Sequence, residues 1–235
     1  MFNNHILPAF GGKRIATITT KDVQKAVKRW FEFTSANYKR WYNYVSSVMD
    51  YAVRQGYMSK NPAKAVVLPH HDDLAGDKPE NFWTKEQMNH FFACIDQENH
   101  FDVFIMFRVL AFTGVRRGEL LALTWNDVSF KENSIKVNKT LTQGDKGHQI
   151  VQAPKTRAGR RTIPVDGQTM AYLKRWRRIQ QETFLQLGIN TMQPNQLLFT
   201  NTKNGYQSLN TPSKRLHKLQ DDNGLTPRIT TVSYT

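Results

Sequence analysis

A long, mostly apolar segment of this chain ends at a glycine, and three charged residues, Arg116, Arg117 and Glu119, follow. The residues from Phe101 to about Phe112 predict a strongly apolar helix that ends at Gly114, because glycine has no Cβ and permits a sharp turn. Arg116 is then expected at the start of a short second helix, with Glu119 one turn further on. Apolar residues predict that this helix packs on a core; they are Leu120, Leu121, Leu123 and Trp125. Arg116 and Glu119 are candidates for a functional site at this turn. The alternative interpretation is that they form an ordinary ion pair on the surface.

The charge of the chain favours a polyanionic partner. Its 235 residues include 33 Lys and Arg against 19 Asp and Glu, a formal net charge of +14, and the basic residues recur along the chain. Nucleic acid is the natural partner for such a distribution. A basic protein of another kind, such as a ribosomal protein, is the alternative. Hydrophobic residues at 39% and aromatic residues at 11% argue against a disordered basic tail and allow one large or two modest cores.

Cysteine and histidine usage argues against a metal site. Cys94 is the only cysteine, which excludes a disulfide framework and a thiolate metal site, and the seven histidines show no metal-ligand spacing.

No apolar run reaches the length of a membrane span, and the N-terminus has no signal-type hydrophobic region. We therefore expect a soluble, cytoplasmic protein that contains no structural metal and does not associate with membranes.

The first part of the chain has the periodicity of amphipathic helices. The pair Thr19-Thr20 is predicted to provide the N-cap of one helix, and a second helix is predicted over 38–54. The apolar positions of this second helix recur at three- and four-residue steps; they are Trp41, Tyr44, Val45, Val48, Ala52 and Val53. Its aromatic residues are interpreted as core and not as platforms for base stacking. Lys39, Arg40 and Arg54 lie off the apolar face, so they are the candidates for contacts with DNA.

Breakers and capping signals organise the rest of the chain into further elements. Residues 69–82 are polar and contain Pro and Gly, which is typical of an interdomain linker. A capping box at 84–87 predicts a helix that continues through Ile95. Two more helices are predicted, one over 168–187 and one from Pro212 to about Asn223.

Three short strands are predicted between these helices. The segments 135–141, 148–153 and 161–165 have the composition of strands that form one small antiparallel sheet. Lys155 follows the second strand, and residues 157–160 form the basic turn that leads into the third. A basic hairpin tip of this kind is usually a solvated loop. Its interpretation as a functional motif therefore depends on the other motifs of the chain.

Three segments together resemble the phage integrase, or tyrosine recombinase, family. The first, 113–120, matches T-G-x-R-x-x-E-L before a Trp, and the second, 154–164, contains Lys155, which lies 39 residues after Arg116. The third resembles the end of the family's helical core-binding domain, A-x-x-x-G-x-I/M-x-x-N-P. Its matching residues are Ala52, Gly56, Met58, Asn61 and Pro62. In the family this domain and the catalytic domain grip opposite faces of a DNA duplex, as a clamp.

The resemblance implies a mainly α protein with a small antiparallel β-sheet. We expect a helical core-binding domain over residues 1–68, a linker over 69–82 and an incomplete α+β catalytic domain over 83–235. It implies double-stranded DNA as the partner, self-association on DNA as in the family's tetramers, and no cofactor, because family members need neither ATP nor a metal.

The resemblance also implies a reaction and roles for particular residues. The reaction is site-specific DNA recombination or integration through a 3′-phosphotyrosyl intermediate. Arg116 would hold a nonbridging phosphate oxygen in a forked hydrogen bond, Lys155 would protonate the departing 5′ oxygen, and Glu119 would support the site. Contacts with DNA are predicted for the basic residues Lys39, Arg40, Arg54, Arg157, Arg160 and Arg161.

Both ends of the sequence depart from the family pattern. Relatives continue with I-T-x-H-G-x-R-H-T, whereas this sequence reads Ile229 to Thr235 without His-x-x-Arg, and Tyr234 lies too early to match the family's nucleophile. We therefore expect a C-terminally truncated member, with a frameshift as one possible origin. Met1 falls just before a segment that relatives usually place after an arm-binding domain, so we expect that this domain is also absent.

The departure at the C-terminal end leaves two functional classes open. One is an integrase that recombines DNA at a specific site. The alternative is an inactive DNA-binding remnant that keeps half of the active site. A basic RNA-binding module is a weaker third class, because the sequence contains no RNP-type aromatic strand and no Gly-x-x-Gly loop.

Overall fold

The computed structural model of the chain describes residues 1–34, 37–70, 81–144, 147–154 and 159–231. It divides into two units, Met1–Asp77 and Lys78–Thr235. Each unit has a hydrophobic core of its own. Most of the predicted linker, together with Lys155, Arg157 and residues 232–235, lies outside the described residues.

The first unit is helical, with α1 at Leu7–Phe10, α2 at Thr20–Phe33 and α3 at Tyr38–Arg54. The predicted N-cap of α2 is confirmed. Thr19 Oγ1 accepts a hydrogen bond from the Asp22 backbone N–H, and Asp22 Oδ2 accepts one from the Thr19 backbone N–H at 2.9 Å. The Thr19 and Asp22 N–H groups thus both have a partner, which favours a helix start at this point.

The core of the first unit is built from α2 and α3 together with Ile6, Phe10, Ile18 and Ala63. The Trp30 and Trp41 rings meet edge to face, 5.8 Å apart. On α3 the buried residues are Tyr38, Trp41, Val45, Ser46, Met49 and Ala52. The predicted apolar face was therefore wrong at Tyr44 and Val48, which are exposed. Each of them is adjacent to a buried residue, and one residue turns a side chain about 100° around a helix.

The second unit contains five α-helices among its described residues: α4 at Lys85–Ala93, α5 at Phe101–Thr113, α6 at Arg117–Ala122, α7 at Gly167–Gln186 and α8 at Thr211–Asn223. Gly114 follows α5 with a φ of 62°, in the left-handed region that glycine tolerates best, and the predicted helix break is confirmed. No helix in the described ranges is both long and apolar enough to span a membrane.

Five short strands accompany these helices: β1 at Val128–Ser129, β2 at Ser134–Val137, β3 at Thr140–Gln143, β4 at Gln149–Gln152 and β5 at Arg161–Pro164. They form two antiparallel sheets, with strand orders β1-β2-β5 and β3-β4. The predicted single strand over 135–141 is therefore two strands. Lys139 lies between β2 and β3. Its Nζ donates to Thr124 Oγ1 at 3.0 Å and also pairs with Asp127.

Candidate active site and basic helix face

Arg116 and Glu119 meet at the first turn of α6. Gly114 ends α5 and Val115 is buried, so Arg116 becomes the extended residue that precedes α6. Glu119 Oε2 accepts a hydrogen bond from the Arg116 backbone N–H (2.9 Å), and Glu119 Oε1 accepts one from Arg116 Nη1 (3.0 Å). Only 4% of the Glu119 surface is exposed. The pair therefore differs from an ordinary surface ion pair.

Arg161, the first residue of β5, binds the same carboxylate. Its Nη1 donates to Glu119 Oε1 at 3.1 Å and its Nη2 donates to Glu119 Oε2 at 2.8 Å. This two-pronged geometry matches the planar guanidinium to the planar carboxylate. Each oxygen of Glu119 thus accepts one hydrogen bond from each arginine. The prediction that Arg161 contacts DNA stays a prediction, but two of its donors already face Glu119.

These contacts keep the Glu119 carboxyl ionised. Burial acts to raise the pKa of the Glu119 carboxyl, but hydrogen bonds from Arg161 and Arg116 outweigh burial and hold that pKa below its ordinary value. The hydrogen bond to Glu119 in turn raises the pKa of Arg161. Two positive charges thus flank one negative charge. The Arg116 side chain is 49% exposed, against 31% for Arg161, so Arg116 is the more accessible of the two.

Gly118 lets this turn of α6 lie directly against β3. A Cβ at Gly118 would lie 2.6 Å from the carbonyl oxygen of Leu141 and 2.7 Å from Thr140 Oγ1, so only glycine fits. Sequence reasoning missed this residue. A glycine inside a predicted helix was the available signal, because glycine disfavours helices and often marks a close approach of backbone.

The other predicted residues of this site are placed less completely. Arg160 is exposed and immediately precedes β5. Lys155 and Arg157 lie outside the described residues. In the described part of the chain, no group of three or more His, Cys, Asp or Glu residues is arranged to hold a metal ion.

A separate basic face lies on α3 of the first unit. The predicted residues Lys39, Arg40 and Arg54 are all exposed. Exposed side chains follow one another at steps of four, three, four and three residues; they are Arg40, Tyr44, Ser47, Tyr51 and Arg54, here named the α3 outer face. Such steps place side chains on one side of a helix. Sequence reasoning missed its three middle residues, although the spacing was visible.

Basic residues of α7 have a different environment, because three of them lie over aromatic rings. The pairs are Lys174 with Phe130, Arg175 with Phe101 and Arg177 with Trp125, at 5.6, 4.3 and 5.5 Å from the ring centroids. Cation–π contacts and the aliphatic parts of these side chains cover the aromatic core. Packing against the aromatic core is therefore part of the reason why basic residues occupy these positions of α7.

Comparison with known proteins identifies the class that this fold and site define. Residues 81–232 match the phage integrase family, and residues 1–67 match the phage integrase central domain. The first match alone covers more than half of the chain. The chain therefore belongs to the phage integrase family, as the sequence motifs indicated.

Particular relatives agree with this membership. The ICEBs1 integrase of Bacillus subtilis is 32% identical over 194 residues, which cover 80% of this chain and 50% of that protein. The tyrosine recombinase XerC-like protein of Caldanaerobacter subterraneus subsp. tengcongensis is 28% identical over 190 residues, 75% of this chain and 48% of that protein. The chain thus spans about half the length of the curated relatives it matches.

Solved structures agree on the fold. The Tn1549 transposon integrase in complex with transposon right end DNA has a TM-score of 0.71 at 19% identity, over 92% of this chain and 69% of that chain. A lambda integrase dimer bound to a COC′ core site has a TM-score of 0.65 at 14% identity, over 96% of this chain and 72% of that chain. The predicted fold class, mainly α with small antiparallel β-structure, is confirmed, but the prediction of one sheet was wrong, because the strands form two.

Proposed function

We propose that this chain binds duplex DNA and supplies part of the active site for site-specific recombination or integration by the tyrosine recombinase mechanism. The observation that carries the proposal is the buried Glu119 carboxylate held between Arg116 and Arg161 at the start of α6, in a chain of the phage integrase family. A fixed cation at this point can stabilise charge that develops on a phosphate.

The proposed chemistry assigns one role to each residue. A tyrosine hydroxyl loses its proton to water as its oxygen attacks the phosphorus atom, the bond to the 5′ oxygen breaks, and a 3′-phosphotyrosyl bond forms. Arg116 holds a nonbridging oxygen, and Lys155 gives its proton to the departing 5′ oxygen. Glu119 orients Arg116. We assign the nucleophile to no residue of this chain.

We further propose that the α3 outer face contacts the duplex. Arg40 and Arg54 lie about 21 Å apart along the helix axis, since each residue adds about 1.5 Å. Their charges suit phosphates on either side of a groove, and Tyr44, Ser47 and Tyr51 between them suit base edges. Lys39, Arg157 and Arg160 are proposed as additional phosphate contacts. We also propose that residues 1–68 form a core-binding domain, residues 69–82 a linker and residues 83–235 a catalytic domain.

Self-association on DNA is part of the proposal. It is supported by the lambda integrase neighbour, which is a dimer bound to a core site. Sedimentation of this chain with a duplex that contains two half-sites should give at least two protein copies per duplex. One copy at saturating protein concentration would contradict this part.

The function is tested with a nicked suicide duplex that contains the candidate core site. A gel shift that weakens with added salt is expected. A covalent protein–DNA band in addition would locate the nucleophile within this chain, and a shift without that band would support a DNA-binding remnant. The absence of any shift would overturn the proposal.

Variants of the α3 outer face sharpen this test. Arg40→Ala and Arg54→Ala should each weaken binding to all sequences and reduce the magnitude of the salt slope by about 1. Arg178→Ala is the matched control, because it removes the same charge from an exposed pair with Glu182 on α7. Equal effects of all three variants would show that net charge alone drives binding.

A further inference from the structure

The strands before and after the segment 153–160 are both connected to α6, β4 through β3 and β5 through Arg161. Before the segment, β4 pairs with β3, and β3 lies against Gly118 of α6 at the Leu141 carbonyl. After it, β5 begins with Arg161, whose guanidinium binds Glu119 of α6. The helix that follows Arg116 is thus the common support of both flanking strands.

The hydrogen bonds of Glu119 suggest how the support acts. Each of its oxygens accepts one hydrogen bond from Arg116 and one from Arg161. Without Arg161, rotation of the carboxylate would lose only its contacts with Arg116. With Arg161 in place, the same rotation also breaks two charge-assisted hydrogen bonds, so the carboxylate has one preferred orientation.

We propose that Arg161 is a positioning residue, which fixes Glu119 and through it the Arg116 guanidinium. The proposal rests on the proposed function, in which Arg116 holds a phosphate of DNA. It assigns Arg161 a role that sequence analysis did not give it, since Arg161 was predicted as a direct contact with DNA. A lysine could not replace it, because an ammonium group lacks the planar fork that engages both carboxylate oxygens.

The first test needs no DNA and compares hydrogen exchange at two amides. In Arg161→Ala and Arg161→Lys, the Arg116 amide should exchange about tenfold faster, because its acceptor Glu119 Oε2 is no longer held. The Leu198 amide, which donates to the Leu123 carbonyl at 2.9 Å, serves as the internal control and should change less than about twofold. Equal acceleration at both amides would show general destabilisation and overturn the inference.

The second test is a double-mutant cycle on DNA binding. Arg116→Ala should reduce the magnitude of the salt slope by about 1, and adding Arg161→Ala should reduce it no further. Arg160→Ala is the matched control from the neighbouring residue, and its effect should add to that of Arg116→Ala. Additive losses for Arg161→Ala, or wild-type binding by Arg161→Lys, would show that Arg161 contacts phosphate directly.

The two tests separate this inference from the proposed function. If the wild-type chain does not bind duplex DNA, the proposed function fails, while the exchange of the Arg116 amide still decides whether Arg161 fixes the Glu119 contacts. If DNA binds but the Arg116 amide is insensitive to Arg161→Ala and Arg161→Lys, only the positioning role fails.

Discussion

Glu119 is a buried carboxylate that two arginines keep ionised. Because both arginines also contact solvent, forming the triad adds little net stability, but removing its centre takes away a carboxylate that both guanidinium groups share. The lowered pKa of Glu119 couples this arrangement to pH. In the folded chain the carboxyl releases its proton more readily than in the unfolded chain, so ionisation favours folding.

Glu119→Gln should therefore destabilise the chain most at neutral pH. We expect a loss of about 2–3 kcal/mol, below the roughly 3–5 kcal/mol of a fully buried pair, because the arginines are partly exposed. The contribution is present above the ordinary glutamate pKa of about 4.3 and is lost as the pH falls through the lowered folded value. Urea denaturation at several pH values measures it. Identical pH dependence in wild type and variant would contradict the prediction.

Gly118→Ala should destabilise the second unit by about 1–3 kcal/mol, because the added methyl group meets a backbone carbonyl that cannot move freely. Gly167→Ala is the matched control. Gly167 begins α7, and a Cβ there meets no atom within 4 Å. That variant should be neutral or slightly stabilising. Thermal melting of both variants checks the pair, and equal melting temperatures would show that α6 can move away from β3.

At the scale of elements, α3 shows two faces with different tasks. One face packs into the core of the first unit through Trp41, Val45 and Met49, and Trp41 contacts Trp30 of α2. The opposite face is the exposed α3 outer face. Periodicity predicted a helix with the correct bounds, Tyr38–Arg54, but placed Tyr44 and Val48 on the wrong side. Tyrosine and valine are apolar enough to suit a core, so composition alone could not exclude them.

Adjacent residues of α3 provide a direct test of this facing. Met49 is 2% exposed and Val48 is 42% exposed. Met49→Ala should cost roughly 2–5 kcal/mol, since it removes buried contacts and leaves a cavity. Val48→Ala should change stability by no more than about 0.5 kcal/mol. Denaturation, monitored by hydrogen exchange within α3, measures the stability loss of each variant. A larger loss for Val48→Ala than for Met49→Ala would show that α3 is rotated.

At the scale of the whole molecule, positive charge is shared by both units. Eleven Lys and Arg stand against six Asp and Glu up to residue 77, and 22 stand against 13 after it. These counts sum to the net charge of +14. Both units therefore carry the charge that a polyanion would attract. This distribution agrees with a proposal in which each unit contributes phosphate contacts.

Binding of the whole chain to a duplex should consequently depend strongly on salt. With about six phosphate contacts, the slope of log K against log salt concentration is expected near −5, a loss of about 10³ in affinity between 50 and 200 mM salt. Fluorescence anisotropy with a labelled duplex gives this slope. An affinity that does not change with salt would contradict DNA binding through phosphate contacts.

Helix starts and the break at Gly114 were predictable because their signals lie within a few residues, whereas the predicted end of α4 at Ile95 was wrong, since α4 ends at Ala93. The capping boxes at Thr19 and Thr84 and the left-handed Gly114 each act locally. The strands were less predictable. The segment predicted as one strand leaves β2 at Lys139, which pairs with Asp127 twelve residues away, and periodicity contains no information about such a partner.

The sequence by itself determined the family motif, the helix break at Gly114 and the approach of Glu119 to Arg116, because all three depend on residues within one helical turn. Only the tertiary structure decided that Arg161 shares Glu119, since these residues are 42 positions apart and meet where β5 comes to lie beside α6. It alone showed why residue 118 is glycine. Backbone preferences act between neighbours, whereas burial and close packing depend on segments that meet only when the chain folds.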